Sequence, residues 1–358
     1  MRNLVIIPMV AVLMASGRLW GQGYEYVNAT LFSGPMFSVH RAGDYVFCAG
    51  GYSLHAISIT DHSNPVLVGG YPLCMPVYGV YVVASHAYVI EGFPDTDPIG
   101  GFHVTDITNP SFPTLVGSCD LPNGGVDIYV SGDFAYVARR ASGIVIIDIS
   151  DNSNPTIAGS LDIPGMAMGI FVVGGYAYVA NLSGLKIIDI SDPEHPILTG
   201  SIDTPGQATK VFVDEHYAYV ADGGSGLQII DVSDPSNPIP LANCSIPGSS
   251  RDIVVYGDCA YVAAYFDGLQ VVDVSDPASP SIVGSCDTPG NARGLYVSEG
   301  NAVVAESGSS AAVQIIDISD PLWPAIQGAY HASYRVWSSF VSGSYAYTAD
   351  LIGLYITD

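Results

Sequence analysis

A repeat of about 42 residues runs through almost the whole chain. Its most recognisable segment is an apolar run followed by a turn, as in GLQIIDVSDPSNP at residues 226–238. Related segments begin at Ser53, Gly101, Gly143, Gly184, Gly268, Ala312 and Gly353. With Gly226 included, successive starts are separated by 48, 42, 41, 42, 42, 44 and 41 residues. Such self-similarity indicates a repeat architecture, in which each unit buries its apolar faces against its neighbours.

Each repeat contains four short runs with the signature of β-strands. The segment above is the third run; AYVA, as at residues 135–138, precedes it, and GIFVVGG, as at 169–175, comes first. A fourth run follows, as in SIVGSCDTPG at 281–290. β-branched and aromatic residues fill these runs, Gly, Pro, Asn or Asp bound them, and no segment has a helical period. We therefore predict an all-β fold, a single closed β-propeller of four-stranded blades.

The blade number follows from the two ends of the chain. The first three strand types occur eight times, whereas complete passages from the third strand to the fourth occur seven times. YVNATLFSG, at residues 26–34, aligns with the fourth strand, so we predict that this N-terminal strand completes the last blade, which ends at Asp358. The 336 residues from 23 to 358 also equal eight repeats of 42. We predict eight blades in a ring without an open edge, with seven blades as the alternative.

The N-terminus has the pattern of a secretory signal peptide. Arg2 precedes the apolar run LVIIPMVAVLMA, which is too short to span a bilayer, and small and polar residues follow. We predict a signal peptide at residues 1–22 and a propeller domain at 23–358, exported to the periplasm, the cell surface or the medium. No later stretch of the sequence is long and apolar enough to form a transmembrane segment, and we expect a monomer.

Acidic residues greatly outnumber basic ones. The chain has 10 Lys and Arg against 34 Asp and Glu, which gives a formal net charge of −24. This balance argues against nucleic acid and anionic membrane surfaces as partners. Only six of the acids are Glu, so most of the acidity comes from Asp, a residue that favours turns.

The repeated aspartates are interpreted as structural. A catalytic pair is needed once, whereas Asp before Pro favours a type I turn in which the carboxylate accepts backbone N–H groups. Repeated Ca²⁺ sites stay open as an alternative, although the spacing matches neither the EF-hand nor the nonapeptide pattern; we otherwise predict no cofactor. One series ends the third strand and the other begins the turn: Asp106, Asp148, Asp189, Asp231, Asp273, Asp317 and Asp358; then Asp61, Asp151, Asp192, Asp234, Asp276 and Asp320.

Cysteines and histidines give no firm disulfide or metal pattern. Six Cys allow fifteen disulfide connectivities in an exported chain. Cys119, Cys244 and Cys286 occupy one equivalent position in separate repeats, which is too far apart for bridging, so free buried thiols compete with disulfides there. His55 and His103 are equivalent third-strand residues without a visible third ligand, and no zinc site is predicted.

The third-strand sequences LQIIDVSDP, LKIIDIS and IVIIDIS resemble the LVIVD repeat. The resemblance covers nearly all of the chain after the predicted signal peptide. It implies an exported, mostly bacterial type of β-propeller at the cell surface, often fused to an anchoring or sorting module. This sequence runs only to Asp358, inside its last repeat. The family has no agreed catalytic residues that could be transferred.

Positions at which the repeats disagree are the candidates for a ligand site. The start of the first strand should line the central channel, and there one register reads Pro35, Tyr78, Val126, Met168, Thr209, Arg251, Arg293 and Trp337. The next register reads Met36, Gly79, Asp127, Gly169, Lys210, Asp252, Gly294 and Ser338. From these we predict ligand-binding residues at the channel mouth: Arg251, Arg293, Lys210, Asp127, Asp252, Tyr78 and Trp337.

The two arginines carry most of this prediction. Arg251 and Arg293 could together hold a carboxylate or a sugar acid bidentately. The alternative is that they pair with neighbouring acids and plug the channel. Further candidates on loops of the same face are Asp95, Asp97, Tyr265 and Phe266.

We predict a non-catalytic module that binds a protein or a glycan. One alternative is a hydrolase or lyase that acts on polysaccharide, with Arg251, Arg293, Asp127 and Asp252 near its centre; another is a purely structural part of a larger surface assembly. The sequence contains no G-x-S-x-G, H-E-x-x-H, P-loop or C-x-x-C motif, so no catalytic residue is assigned. Enzymatic activity is left undecided and is less expected than binding.

Overall fold

A computed structural model describes residues 36–42, 45–50, 53–58, 66–75, 77–92, 100–298, 300–307, 312–331, 336–342, 345–350 and 354–357. The predicted signal peptide and the predicted closing strand at residues 26–34 lie outside this set. So do Asp61, Asp95, Asp97 and Asp358, and the side chains of His55 and Trp337. Within the described part of the chain, no helix is long and apolar enough to cross a membrane.

The described residues form eight antiparallel sheets of consecutive strands, seven with four strands and one with three. Sheet one contains β1 (Met36–Ala42), β2 (Tyr45–Gly50), β3 (Ser53–Ser58) and β4 (Val66–Pro72). Sheet two contains β5 (Val77–Val83), β6 (His86–Glu91), β7 (Gly101–Asp106) and β8 (Thr114–Asp120). Sheet three contains β9 (Asp127–Ser131), β10 (Phe134–Ala138), β11 (Ile144–Asp148) and β12 (Thr156–Leu161). Sheet four contains β13 (Gly169–Val173), β14 (Tyr176–Ala180), β15 (Leu182–Asp189) and β16 (Ile197–Ala208).

The remaining four sheets repeat this order. Sheet five contains β17 (Lys210–Asp214), β18 (Tyr217–Ala221), β19 (Leu227–Asp231) and β20 (Ile239–Cys244). Sheet six contains β21 (Asp252–Tyr256), β22 (Cys259–Ala263), β23 (Leu269–Asp273) and β24 (Ser281–Cys286). Sheet seven contains β25 (Asn291–Ser298), β26 (Asn301–Ser307), β27 (Ala312–Asp317) and β28 (Ala325–His331). Sheet eight contains β29 (Val336–Ser342), β30 (Tyr345–Asp350) and β31 (Leu354–Thr357). In the seven four-stranded sheets, the four predicted runs of each repeat thus become its four strands.

The predicted alignment of the first repeat is wrong by two residues. It matched Met36 with Asp127, but Asp127 pairs with Ala138, and the residue that pairs with the equivalent Ala49 is Ser38. The register shifts between Met36 and Ser38, which adds one residue to the first strand without a partner on the second. β5, β25 and β29 contain the same irregularity and were aligned correctly, so the error lies in matching the divergent letters of the first repeat and not in the extra residue.

The apolar core lies between neighbouring sheets. In one cluster, Leu227 and Ile229 of sheet five pack with Ile253 and Val262 of sheet six, and all four side chains are almost completely buried. Third strands are buried on both faces, as at Ile229 and Ile230. Each fully buried Val, Leu or Ile stabilises the fold by about 1.5–3 kcal/mol. A sheet sandwiched between two others therefore needs a continuous apolar run instead of an alternating one.

Outer strands contact the next sheet through glycine. A Cβ added at Gly200 of β16 would overlap the carbonyl oxygen of Pro235, which lies in the turn of sheet five. Gly284 of β24 has the same relation to Pro321 in sheet seven. The glycine follows the point where the strand register shifts, and in sheet five Ala242 takes its place. The missing side chain allows the outer strand to approach the neighbouring turn closely.

Successive first strands also neighbour one another, from β5 and β9 through to β25 and β29. They form the inner side of the sheet array. Because the strands of each sheet are antiparallel, the first and third strands begin on the same side of the sheet array on which the second and fourth strands finish. We call this side the entry side. The opposite end, which carries the aspartate turns, is called the turn side.

Candidate functional site

The predicted site residues gather on the entry side. Asp127, Lys210 and Asp252 begin β9, β17 and β21. Arg251 immediately precedes β21, and its amide donates to the carbonyl of Ala263 at 2.8 Å. The remaining three predicted residues, Tyr78, Arg293 and Trp337, each fall where the register shifts in a first strand, namely β5, β25 and β29. Extra residues at such bulges direct side chains differently from the rest of a strand.

Lys210 joins two acids on the inner strands. Its Nζ lies 3.2 Å from Asp127 Oδ2, and the two side chains keep 38% and 24% of their surface exposed. Asp127 raises the pKa of Lys210, burial lowers it, and Asp252 adds to the rise. Gly169 begins the intervening first strand, where a Cβ would lie 3.3 Å from Lys210 Cδ. A side chain on that strand would crowd the path of the lysine.

The two acids also fasten neighbouring strands. Asp127 Oδ2 accepts the amide of Ile170 at 3.0 Å, and Asp252 Oδ2 accepts the amide of Leu295 at 2.9 Å. The second oxygen of each carboxylate accepts the amide of the next residue in its own strand. Burial raises the pKa of Asp252, while Lys210 and the two amides oppose that rise. These contacts give both carboxylates a role in joining one sheet to the next.

Aromatic side chains follow this charged layer towards the turn side. Tyr129 and Phe212 lie two residues after Asp127 and Lys210, on the same face of their strands. Ring centroids are 5.5 Å apart for Tyr81 and Tyr129, 5.5 Å for Tyr129 and Phe171, and 5.2 Å for Phe171 and Phe212. Tilted pairs at this separation are favourable for aromatic rings. Beyond the charged layer, the inner strands therefore present a row of aromatic rings.

The two arginines meet at Tyr265. The guanidinium carbon of Arg251 lies 5.1 Å from the Tyr265 ring centroid, and that of Arg293 lies 5.3 Å from the same centroid. Both distances are within the range of a cation–π interaction. Arg251 makes no ion pair with any described residue, and its Nε atom is buried without a hydrogen-bond partner. The predicted alternative, in which Arg251 pairs with an acid, is therefore wrong within the described part of the chain.

The Tyr265 backbone is held in a left-handed conformation, with φ of +53°. It lies in the turn between β22 and β23 and forms an isolated bridge with Ala292, and the equivalent bridge in sheet five is made by Gly223, with φ of +56°. A tyrosine therefore stands where another repeat uses glycine, at some cost in backbone energy. Beside it, Phe266 is 71% exposed, and the two rings meet edge to face with centroids 4.4 Å apart.

Sequence comparison missed another variable position, the first residue after the second strand. In four repeats, the side chain at this position makes a hydrogen bond to the segment that leads into the first strand of the same sheet. The chemical group that makes the bond differs from one repeat to another. The signal was present, since these residues differ along the chain, but only the first strands were compared. The contacts are Glu91 with the amides of Cys74 and Met75, Arg139 with the carbonyl of Pro122, Asn181 with the carbonyl of Pro164, and Asp222 with the amide of Gly206.

Other candidate residues have local partners. His103 Nε2 lies 2.9 Å from Glu91 Oε1. Cys119, Cys244 and Cys286 form no disulfide among the described residues, which agrees with the alternative of buried thiols. Burial raises the pKa of Cys119 to about 11, with a smaller contribution from Asp120.

The structural interpretation of the repeated aspartates is confirmed for the described copies. Asp231 Oδ1 accepts the amide of Ser233 at 2.9 Å, and Asp234 Oδ1 accepts the amide of Ser236 at 3.0 Å. The carbonyl of Asp234 also accepts the amide of Asn237 at 2.9 Å, which closes the turn. Hydrogen bonds from Ser233, through its side chain and then its backbone, lower the pKa of Asp231.

Comparison with known proteins supports the fold. A family model described as the LVIVD repeat matches residues 34–72, 96–121, 125–163, 164–204, 205–245, 247–288, 289–332 and 335–358. The C-terminal WD40 domain of Sif2 is similar, with a TM-score of 0.70 and 10% identity over 91% of this chain and 95% of that chain. Saccharomyces cerevisiae Sqt1 has a TM-score of 0.75 and 9% identity over 92% and 97%.

BamB from Moraxella catarrhalis has a TM-score of 0.65 and 13% identity, over 89% of this chain and 92% of that chain. At such low identities the likeness concerns the fold alone. WD40 repeats build β-propellers, so the eight matched repeats and the repeated sheets identify this chain as a β-propeller. No curated protein matches the sequence significantly.

Proposed function

Since the chain belongs to the LVIVD-repeat family, we propose that it is an exported, closed eight-bladed propeller that binds a protein or a glycan without catalysing a reaction. The binding site is the arginine–aromatic cluster, which consists of Arg251, Tyr265, Phe266 and Arg293 on the entry side. Residues 1–22 direct export, and residues 23–358 form the propeller. The protein acts at the cell surface, in the periplasm or in the medium.

Contacts between first strands support the closed ring. β1 neighbours β5 on one side and β29 on the other, and β29 also neighbours β25. Sheet eight has three strands among the described residues, and we propose that residues 26–34 supply its fourth. A ring completed by both ends of the chain leaves no sheet edge between them. Removal of residues 24–32 should therefore lower the melting temperature of the whole protein, and an unchanged melting temperature would exclude this closure.

The observation that carries the binding proposal is the arrangement at Tyr265. An exposed aromatic ring and two arginines converge there. The left-handed backbone of Tyr265 recurs at the equivalent Arg140, Leu182 and Gly223, so it belongs to the repeat, whereas the side chains are particular to this sheet. Arg, Tyr and Phe are also enriched in the energetic centres of interfaces. The acids nearest the inner strands, Asp127 and Asp252, bind backbone amides of neighbouring strands instead. Because these two carboxylates are engaged in backbone hydrogen bonds and Arg251 pairs with no described acid, the site favours binding over hydrolysis or elimination.

A binding screen with a matched variant pair tests the proposal. Purified residues 23–358 are applied to a glycan array and to a panel of surface proteins, together with Phe266→Ala and Phe112→Ala. Phe112 is 75% exposed and lies on the turn side, so it controls for the loss of an exposed aromatic ring. We expect at least one ligand that Phe266→Ala binds about tenfold more weakly and Phe112→Ala binds normally.

Two results would contradict the proposal. One is equal binding of every ligand by the wild type and Phe266→Ala, which would exclude the cluster as the site. The other is cleavage of a polysaccharide, detected as new reducing ends, by the wild type but not by Asp252→Asn. That result would replace binding by catalysis at the inner acids.

A further inference from the structure

Charge is divided unevenly between the two sides of the sheet array. The sequence from residue 77 to 331 has six Lys and Arg, namely Arg139, Arg140, Lys186, Lys210, Arg251 and Arg293. Each lies on the entry side, or in the entry half of its strand, as Lys186 does. On the turn side, the described residues of this range include sixteen carboxylates and neither Lys nor Arg. Within residues 77–331, a negatively charged ligand is therefore repelled by the turn side and has cationic partners only on the entry side.

Within the entry side, Arg251 has cationic capacity to spare. Lys210 and Lys186 are already within ion-pair distance of Asp127 and Asp203. Arg251 has no such partner among the described residues, in a chain where acids are abundant. Its neighbours Arg293 and Tyr265 supply a second positive charge and a ring face, neither of which neutralises it. An anionic group brought to Arg251 would complete a charge-assisted hydrogen-bonded pair.

The aromatic side chains of the cluster restrict the chemical class of the ligand beyond its anionic group. Phe266 exposes most of its ring to solvent and is held edge to face against Tyr265, so it offers a rigid apolar surface beside the guanidinium groups. Both guanidinium carbons lie close to the Tyr265 centroid, so one ligand of the size of a few sugar rings can contact both arginines and Phe266. A uronic acid residue combines a carboxylate with an apolar face of C–H groups, which matches this pairing.

We propose that the arginine–aromatic cluster of Arg251, Tyr265, Phe266 and Arg293 binds a carboxylate-bearing saccharide, a chain of uronic acid residues. The carboxylate is held by the guanidinium group of Arg251, with Arg293 adding a second positive charge, and a sugar ring lies against Phe266. This inference rests on the proposed function and narrows its ligand to one class. Neutral sugars lack the charged partner, and anions without a ring lack the apolar contact.

Calorimetric titration with trigalacturonate tests the inference, with neutral galactotriose and a short poly-glutamate peptide as comparison ligands. We expect trigalacturonate to bind the wild type and to bind less tightly as salt is added. Arg251→Met and Arg293→Met should each weaken binding by roughly 10- to 100-fold, as the loss of a charged hydrogen bond implies. Arg251→Lys keeps the charge but loses the planar fork, so it should fall between the wild type and Arg251→Met.

Arg140→Met is the matched control. The substitution removes one positive charge from the entry side, at the position of sheet three that is equivalent to Tyr265. The variant should bind trigalacturonate like the wild type. Circular dichroism and the melting temperature of each variant establish that it is folded. Equal weakening by Arg140→Met would assign the effect to general charge and overturn the proposed site.

Three further outcomes overturn the inference. If galactotriose binds as tightly as trigalacturonate, with loss in Phe266→Ala only, the ligand is a neutral glycan and the proposed function stands. If poly-glutamate binds equally well through Arg251, the ligand class is an acidic peptide. If folded wild-type protein binds none of the three probes, the uronic acid proposal fails, while the array screen still decides the proposed function.

Discussion

Lys210 Nζ lies 3.2 Å from Asp127 Oδ2, although the two residues are 83 positions apart and belong to sheets separated by another sheet. The lysine passes the start of that intervening sheet at Gly169. One cation thereby faces two acids, Asp127 and Asp252, whose carboxylates also hold backbone amides of neighbouring strands. This small network links five successive inner strands through side chains that no local sequence pattern connects.

Lys210→Met should destabilise the protein, because it leaves Asp127 and Asp252 close to each other without their shared cation. Both partners of the ion pair are partly exposed, so we expect a loss of about 1 kcal/mol in the free energy of unfolding. Asp127→Asn should cost less in the Lys210→Met background than in the wild type, measured by urea unfolding. Strict additivity of the two changes would exclude coupling between these residues.

Gly200→Ala tests the close approach of an outer strand to the next sheet. The added Cβ would overlap the Pro235 carbonyl, so we expect a loss of about 1–3 kcal/mol, towards the lower end because Ala242 is accommodated at the equivalent position. Gly224→Ala is the matched control, since a Cβ there would meet no atom within 4 Å. Equal melting temperatures for both variants would show that the outer contact is loose.

The aspartate turns predict loss of stability in acid. Hydrogen bonds to each carboxylate lower the pKa of Asp148, Asp189, Asp231 and Asp273 in the folded protein. A lowered folded pKa gives stability that is complete above the unfolded value of about 3.9 and is lost as pH falls through the folded value. Unfolding by urea should therefore become easier between about pH 5 and pH 2. Asp231→Asn, which carries no titrating carboxylate, should flatten this dependence; an unchanged slope would contradict the linkage.

Tyr265→Gly should separate stability from binding. Glycine adopts φ near +53° without the penalty that tyrosine has there, so the substitution relieves the backbone by roughly 1 kcal/mol. Loss of the contacts of the tyrosine ring offsets this gain. We expect a melting temperature near that of the wild type, together with loss of ligand binding, because both arginines lose the ring that positions them. A variant that binds normally would remove Tyr265 from the site.

Much of this architecture could be predicted from the letters alone. The apolar runs gave the strands, and the recurrence of Asp231 and Asp234 in most repeats distinguished turns from chemistry. The alignment of first strands correctly placed Asp127, Lys210 and Asp252 at equivalent positions. It failed in the first repeat, where Ser38, and not Met36, stands at the position of Asp127. It also omitted Glu91, Arg139 and their equivalents, whose shared task is visible only through their contacts with a loop.

The sequence by itself determined the repeat, the strand order and the role of the aspartate turns, because these depend on neighbours within a few residues. Only the tertiary structure decided that Lys210 pairs with Asp127 and that Arg251 and Arg293 meet at Tyr265. Those contacts join different sheets, and their partners depend on how the sheets are turned towards one another. Side-chain partnership across sheets is set by distance in space, which a one-dimensional alignment does not contain.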